Sequence, residues 1–196
     1  MTARRWLCAA AWCAATTARQ IATLPASHPL AMHVGRLEDP HAWAALESWG
    51  PDCAWVGAAP GDLQHAVDGC GPASLARLLR TAGRPVPQDV LWSACRVRGG
   101  GTTLGCLANA ARAFGFPVQV IVVADFAALE LPAIIHLQRG HFVVLERWTA
   151  SVAEIIDPAC GRIRVRGATL RRAASGAVLV RDAAARRTHR IERGQS

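Results

Sequence analysis

The apolar positions along this chain keep two rhythms. From residue 70 to 115 they recur three or four apart, the period of a helix with one buried face; from 118 onward they come in short runs rich in Ile, Val and Leu, as in strands. In the first region Leu75, Leu78 and Leu79, with Ala73 and Ala76 between them, predict a helix that starts near Cys70. Gly83-Arg84-Pro85 breaks it. Pro87–Cys95 reads as a second helix with Val90, Leu91 and Ala94 inward. Gly99-Gly100-Gly101 lacks the Gly-Lys-Ser/Thr of a phosphate loop and reads as a turn before a third helix. Thr102 or Thr103 caps that helix, Leu104, Leu107, Ala108 and Ala111 form its buried face, and Gly115 ends it. In the second region strands are predicted at Val118–Val123, Ala133–Gln138, His141–Arg147, Val152–Asp157, Arg162–Val165 and Ala177–Val180, with a helical turn at Asp125–Glu130. Helices first and closely spaced strands afterwards predict an α+β domain, its N-terminal helices packed on a mostly antiparallel sheet.

Ahead of this domain the pattern is weaker. His41–Trp49 is a short helical candidate whose Trp43, Leu46 and Trp49 form an apolar stripe for core or interface. Met1–Arg5 is basic, Trp6–Ala15 is apolar and too short to span a bilayer, and small residues follow, with Ala18 or Ala26 as cleavage points. The expected division is a signal peptide over 1–26, an extension or linker over 27–60, the main domain over 61–182 and a basic tail over 183–196. Cleavage of the signal would make the protein periplasmic or secreted; without it the chain is cytoplasmic and its thiols reduced.

Composition narrows the function. All 22 basic residues are Arg, the formal net charge is +8, and 52% of residues are hydrophobic, so the chain is globular. The arginines are scattered and no aromatic stacking platform accompanies them, which argues against nucleic acid as partner. An acidic peptide or an acidic membrane surface suits the charge, and so does a plain solvated face. The seven cysteines include no Cys-x-x-Cys pair and have no His cluster beside them, so neither a metal nor an organic cofactor is expected.

The candidate chemistry starts at Cys70. Pro72 suits the first turn of a helix, so Cys70 stands at a helix N-terminus, where unpaired N–H groups and a partial positive charge favour a thiolate. Gly69 and Gly71 leave bare backbone on either side for a substrate to approach. Gln64 can fold back beside the sulfur and, with the Cys70 N–H, offer two donors to a developing oxyanion. Asp68 either shapes the cleft or caps the helix. A lone cysteine is more often a small buried apolar residue, and the strands supply the context that weighs against that here. His141 follows Gly140 and opens one strand, Asp157 closes the next, and a hairpin turn near Thr149-Ala150 sets them roughly opposite each other. A thiol, an imidazole and a carboxylate at one end of a sheet make a nucleophile, a base and an orienting group. His136 reads as a core or rim histidine, His65 as exposed, Cys95 and Cys106 as buried on helix faces, and Cys160 as packing near the site.

Five motifs in order then resemble a known family. They are Gln-x5-Cys-Gly-Pro (64–72), Gly-Thr-Thr-Leu-x2-Leu-x2-Ala-Ala-x2-Phe-Gly (101–115), Leu-Pro-Ala-Ile (131–134), Gly-His-Phe-Val-Val-Leu (140–145) and Asp-Pro-Ala-x-Gly (157–161). Together they resemble the bacteriocin-processing, double-glycine cysteine peptidases, whose fold is papain-like; Ser175–Leu179 looks like that family's last strand. The resemblance implies Cys70 as nucleophile, His141 as general base and acid, Asp157 as orienting group and Gln64 as oxyanion donor. Asp68, Gly69, Gly71 and Gly140 would lie along the substrate. It implies cleavage after Gly-Gly at the end of a leader peptide that docks as an amphipathic helix. The expected partners are a leader-bearing precursor and a separate export transporter or secretion system, with the enzyme a monomer. Two other readings stay open: a thiol acyltransferase of the same fold, and a non-catalytic leader-binding module.

Overall fold

The structure, a computed structural model, describes residues 40–57, 59, 61–149 and 151–182, with the side chains of residues 40, 41 and 43 left aside. The expected signal peptide over 1–26, residues 27–39 of the expected linker, the Trp43 side chain and the tail over 183–196 lie outside the described residues.

Helix α1 (Pro40–Glu47) leads into strand β1 (Cys53–Gly57), and then come α2 (Cys70–Thr81), α3 (Gln88–Ala94) and α4 (Leu104–Ala113). Strand β2 (Val118–Val122), a 3-10 turn at Phe126–Ala128, and strands β3 (Ala133–Leu137), β4 (His141–Thr149), β5 (Val152–Asp157) and β6 (Gly161–Arg166) follow. Helix α5 (Gly167–Ala173) and strand β7 (Ala174–Arg181) complete the described order. The seven strands form one antiparallel sheet in the order β1-β6-β5-β4-β3-β7-β2. This is the α+β arrangement that the change of period predicts and the papain-like fold that the resemblance implies.

The sheet is covered on both faces, which is why its central strands read as unbroken apolar runs rather than strict alternation. On one face Ile134, Phe142, Val144, Ile156 and Leu179 pack against Leu75, Leu78 and Leu79 of α2, Leu91 of α3 and Leu107 and Ala111 of α4. On the other face Ile135, Leu137, Val143, Leu145, Ile155, Ile163 and Val178 pack with Leu46 of α1, Trp49 and Leu170 of α5. Neighbours in sequence thus go to opposite faces, Ile134 to one and Ile135 to the other, as the pleat requires.

Several expectations are corrected. The domain does not begin at Gly61: β1 pairs with β6 through Cys53↔Val165 to Gly57↔Arg162, so residues 40–57 of the expected linker belong to the same sheet and core. Helix α5 and the start of β7 at Ala174 also escape the sequence pattern, because α5 is only seven residues long and its Arg171 and Arg172 mask the period. Val90 is 46% exposed, not inward; it stands about 100° round the helix from the fully buried Leu91. Cys106 is half-buried rather than buried. The strand arginines meet acids: Arg162 pairs with Glu146, Arg164 with Glu154 and Arg166 with Asp52.

Candidate active site

Three chain segments meet at the sheet end where β4 starts and β5 stops. Helix α2 supplies Cys70 as its first residue. Its amide therefore lies outside the i→i−4 ladder, and the sulfur sits at the positive end of the helix. The N-cap Gly69 uses no side chain. Asp68 does not cap the helix: its Oδ2 instead accepts a 3.4 Å bond from the Gly100 amide, which ties the Gly99–Gly101 turn to the loop before Cys70.

Strand β4 supplies His141 and strand β5 supplies Asp157. Val144 pairs with Ile156, so the extended register sets Val143 across from Asp157 and His141 two residues farther on. The two side chains therefore meet diagonally rather than directly opposite, at a spacing that an imidazole and a carboxylate can bridge. They do so with His141 Nε2 2.7 Å from Asp157 Oδ1. Asp157 Oδ1 also accepts the Ala159 amide at 2.9 Å. Asp157 Oδ2 accepts the Trp49 indole N–H at 2.8 Å, and Arg139 NH2 stands 3.6 Å from it. With the carboxylate at Nε2, the neutral imidazole carries its proton there and keeps Nδ1 as the free base.

The electrostatics follow from burial and pairing. Asp157 is fully buried. Burial alone would push its carboxyl up; the bonds and charge of His141, then the bonds from Trp49 and Ala159, outweigh this and hold it below the usual value. Burial pushes His141 down, but hydrogen bonds to Asp157 and Cys70 and the negative charge of both raise it to about 9. The imidazole is thus bonded to the carboxylate at Nε2 and shares the cleft with Cys70. The remaining thiols differ. Burial pushes Cys53 and Cys95 up to about 12 and Cys160 higher still, so they stay protonated at neutral pH. Cys106 is lowered, chiefly by its hydrogen bond with Thr103.

The cleft above these groups has a volume of about 370 Å³. Gln64, Val67, Asp68, Cys70, Gly140 and His141 line it, with Gly100, Gly101, Arg139 and Ala159, and Ala44, Ala45 and Ser48 of the α1 region form another wall. Gln64 is held in place through its loop. Its amide donates to Pro158 O at 2.8 Å, Gln88 binds Leu63 O at 2.8 Å, and Asp62 pairs with Arg77 at 3.3 Å and with Arg80. One Gln64 Nε2 hydrogen goes to Val67 O at 2.9 Å, which leaves the other, while its buried Oε1 has no partner.

Of the residues expected along the substrate, Asp68 and Gly140 line the cleft, whereas Gly69 and Gly71 do not. Both glycines are required by close packing instead. A Cβ on Gly69 would lie 2.9 Å from Ala66 O, and one on Gly71 would collide with the Thr102 methyl. His136 sits apart, half-buried, bonded through Nδ1 to Ser175 Oγ at 2.9 Å. Trp49, Arg139 and the α1 wall were not expected in the site. The sequence carries one sign of the first: a buried indole N–H needs an acceptor. Among the described residues there is no cluster of three metal-ligating side chains, and no helix is long and apolar enough to cross a membrane.

Comparison with known proteins agrees with this fold. The double glycine motif protease from an AMS/PCAT transporter, solved in complex with the leader peptide, is 28% identical with a TM-score of 0.59, over 67% of this chain and 94% of that one. The peptidase domain of Streptococcus ComA, a bi-functional ABC transporter involved in quorum sensing, is 23% identical with a TM-score of 0.56, over 60% of this chain and 93% of that one. The N-terminal peptidase C39 like domain of the toxin secretion ATP-binding protein from Vibrio parahaemolyticus is 20% identical with a TM-score of 0.52, over 59% of this chain and 97% of that one. The last two show the shared fold. No curated protein matches the chain. Residues 60–186 match the pattern of the Peptidase C39 family, and on that span, with a fold and a thiol site that suit it, the chain belongs to the peptidase C39 family.

Proposed function

We propose that this protein is a cysteine endopeptidase that removes the leader from a precursor peptide, with Cys70 as nucleophile. The observation that carries the reading is the imidazole of His141, bonded to Asp157 at 2.7 Å and lining the same cleft as Cys70 at the start of α2. In the proposed reaction His141 Nδ1 holds the proton taken from Cys70, and the sulfur attacks the scissile carbonyl carbon. The oxyanion takes hydrogen bonds from the Cys70 amide and the remaining Gln64 Nε2 hydrogen. The C–N bond breaks as His141 protonates the departing amine. Water, deprotonated by the same imidazole, then hydrolyses the thioester and restores the thiol. Asp157 keeps the imidazole in the required tautomer and balances the imidazolium.

Leader cleavage is supported by family membership and by the leader-bound relative at 28% identity. Cleavage after a Gly-Gly pair is what the family resemblance implies, and glycines without a Cβ let a substrate backbone lie close to the cleft floor. A leader-bearing precursor, delivered by or to a transporter or secretion system, is the partner this reading implies. The deciding measurement is mass spectrometry of a double-glycine precursor peptide incubated with the protein and with Cys70→Ala. The parent is expected to yield two products whose masses sum to the precursor plus one water, and Cys70→Ala none, with its circular dichroism unchanged. Cleavage that survives in Cys70→Ala would end the proposal.

A further inference from the structure

The family match begins at residue 60, yet one of the groups bonded to the Asp157 carboxylate comes from before it. Asp157 Oδ1 is used twice, by His141 and by the Ala159 amide. Oδ2 has one hydrogen bond, the 2.8 Å bond from Trp49; Arg139, at 3.6 Å, is beyond hydrogen-bond range. Trp49 is itself held firmly. It is 4% exposed, its amide bonds Leu46 O at 3.1 Å, and the Arg139 guanidinium lies 5.2 Å over its ring while also bonding Ser48 Oγ. The same segment supplies the Ala44, Ala45 and Ser48 wall of the cleft.

We infer that Trp49 is a positioning residue of the active site: its indole N–H holds the Asp157 carboxylate ionised and turned toward His141, so residues 44–49 are part of the catalytic apparatus rather than an appendage to it. The inference rests on the peptidase reading for the identity of the reaction. A fully buried carboxylate stays charged only when its lone pairs are matched, and an N–H bond to a charged acceptor is worth more than a neutral one. Removing that donor weakens the ionised form of Asp157. The titratable and charged groups that face the pair are Cys70 from α2, Arg139 from the β3–β4 turn, and the protonated thiols Cys160 and Cys53. None of these replaces a donor at Oδ2 without moving.

The test uses the full chain and Trp49→Phe, with Trp55→Phe as control. Trp55 is buried in the same apolar cluster, but its indole bonds Cys160 O at 2.9 Å and not Asp157. Two profiles are measured against pH: kcat/KM for the precursor peptide, and the rate at which iodoacetamide alkylates Cys70. The second is resolved from the half-buried Cys106 by peptide mass spectrometry. Trp49→Phe is expected to lower kcat/KM by about 10-fold or more, the scale of a lost bond to a charged group. The acid limbs of both profiles should move to higher pH. Trp55→Phe is expected to lower the unfolding midpoint and leave both limbs in place. Should Trp49→Phe fold poorly, replacing the Trp49 indole by benzothiophene removes the N–H and keeps the shape. Limbs that overlay the parent's, with kcat/KM within about twofold, would overturn the inference. Because alkylation needs no substrate, the Trp49 question is answered separately from the peptidase one. Cleavage retained in Cys70→Ala would overturn the reaction, and unmoved alkylation limbs in Trp49→Phe would overturn the positioning role.

Discussion

His141 shows how one side chain's surroundings set its working range. An imidazole ordinarily titrates near 6.5; here its partners raise it to about 9 despite burial. A group raised on folding contributes stability that is complete below its unfolded value and fades as the pH climbs through its folded one. The His141 contribution is therefore expected in full below 6.5 and lost on passing about 9. Asp157 has the opposite sign: its carboxyl is lowered, so its contribution is present above the ordinary value of 3.8 and disappears as the pH falls through the folded one. Thermal unfolding of the parent and of His141→Ala across this range checks the first statement. The gap between their midpoints should narrow as the pH rises from 6.5 to about 9. A gap that stays constant would mean that the imidazole is not charged in the folded protein.

At the scale of elements, helix α2 has to bring Cys70 to the sheet end without standing off from its neighbours. Gly71 makes this close approach, since a Cβ there would collide with the Thr102 methyl and lie 3.3 Å from Leu107 and 3.5 Å from Phe142. Gly71→Ala is expected to cost about 1–3 kcal/mol, the usual scale of overpacking, and to lower cleavage as well because the next residue is Cys70. Urea unfolding reads the first, and an unchanged midpoint would show that α2 can shift freely. The Cys-Gly-Pro motif was legible in the sequence, but the reason for its glycine was not. Local pattern marks Gly71 as bare backbone beside a thiol; only the fold shows that the bare side faces α4 and not the cleft. The His141–Asp157 pairing was legible for a physical reason, since two strands joined by a tight turn fix which side chains come near each other. Trp49 to Asp157 spans 108 residues and no turn fixes it, so a Trp on an apolar stripe looked like core or interface.

For the whole molecule, the seven-stranded sheet explains why residues 40–57 cannot be treated as a linker. The switch from helical to strand spacing was visible because both patterns persist for many residues. Strand β1 was hidden because it is five residues long and pairs with β6, more than a hundred residues away. Its removal would strip the edge from β6, free the Trp55 indole from Cys160 O, and uncover Leu170, Ile163 and Val165 on the face that α1 helps to close. Losing Trp49, Trp55 and Leu46 together deletes several large apolar side chains from one cluster, each worth about 1.5–3 kcal/mol when fully buried. Domains hold only about 5–15 kcal/mol in total, so a loss of this size takes most of the margin. A chain that begins at residue 60, the start of the family match, is therefore expected to unfold at much lower urea than the parent. It should also self-associate through the exposed β6 edge, which gel filtration would detect. Its cleavage should fall further than that of Trp49→Phe, because it loses the cleft wall of Ala44, Ala45 and Ser48 as well as the Asp157 donor. A shortened chain that stays monomeric, melts with the parent and cleaves at the parent's rate would show that the domain closes on itself from residue 60, with α1 and β1 merely resting on it.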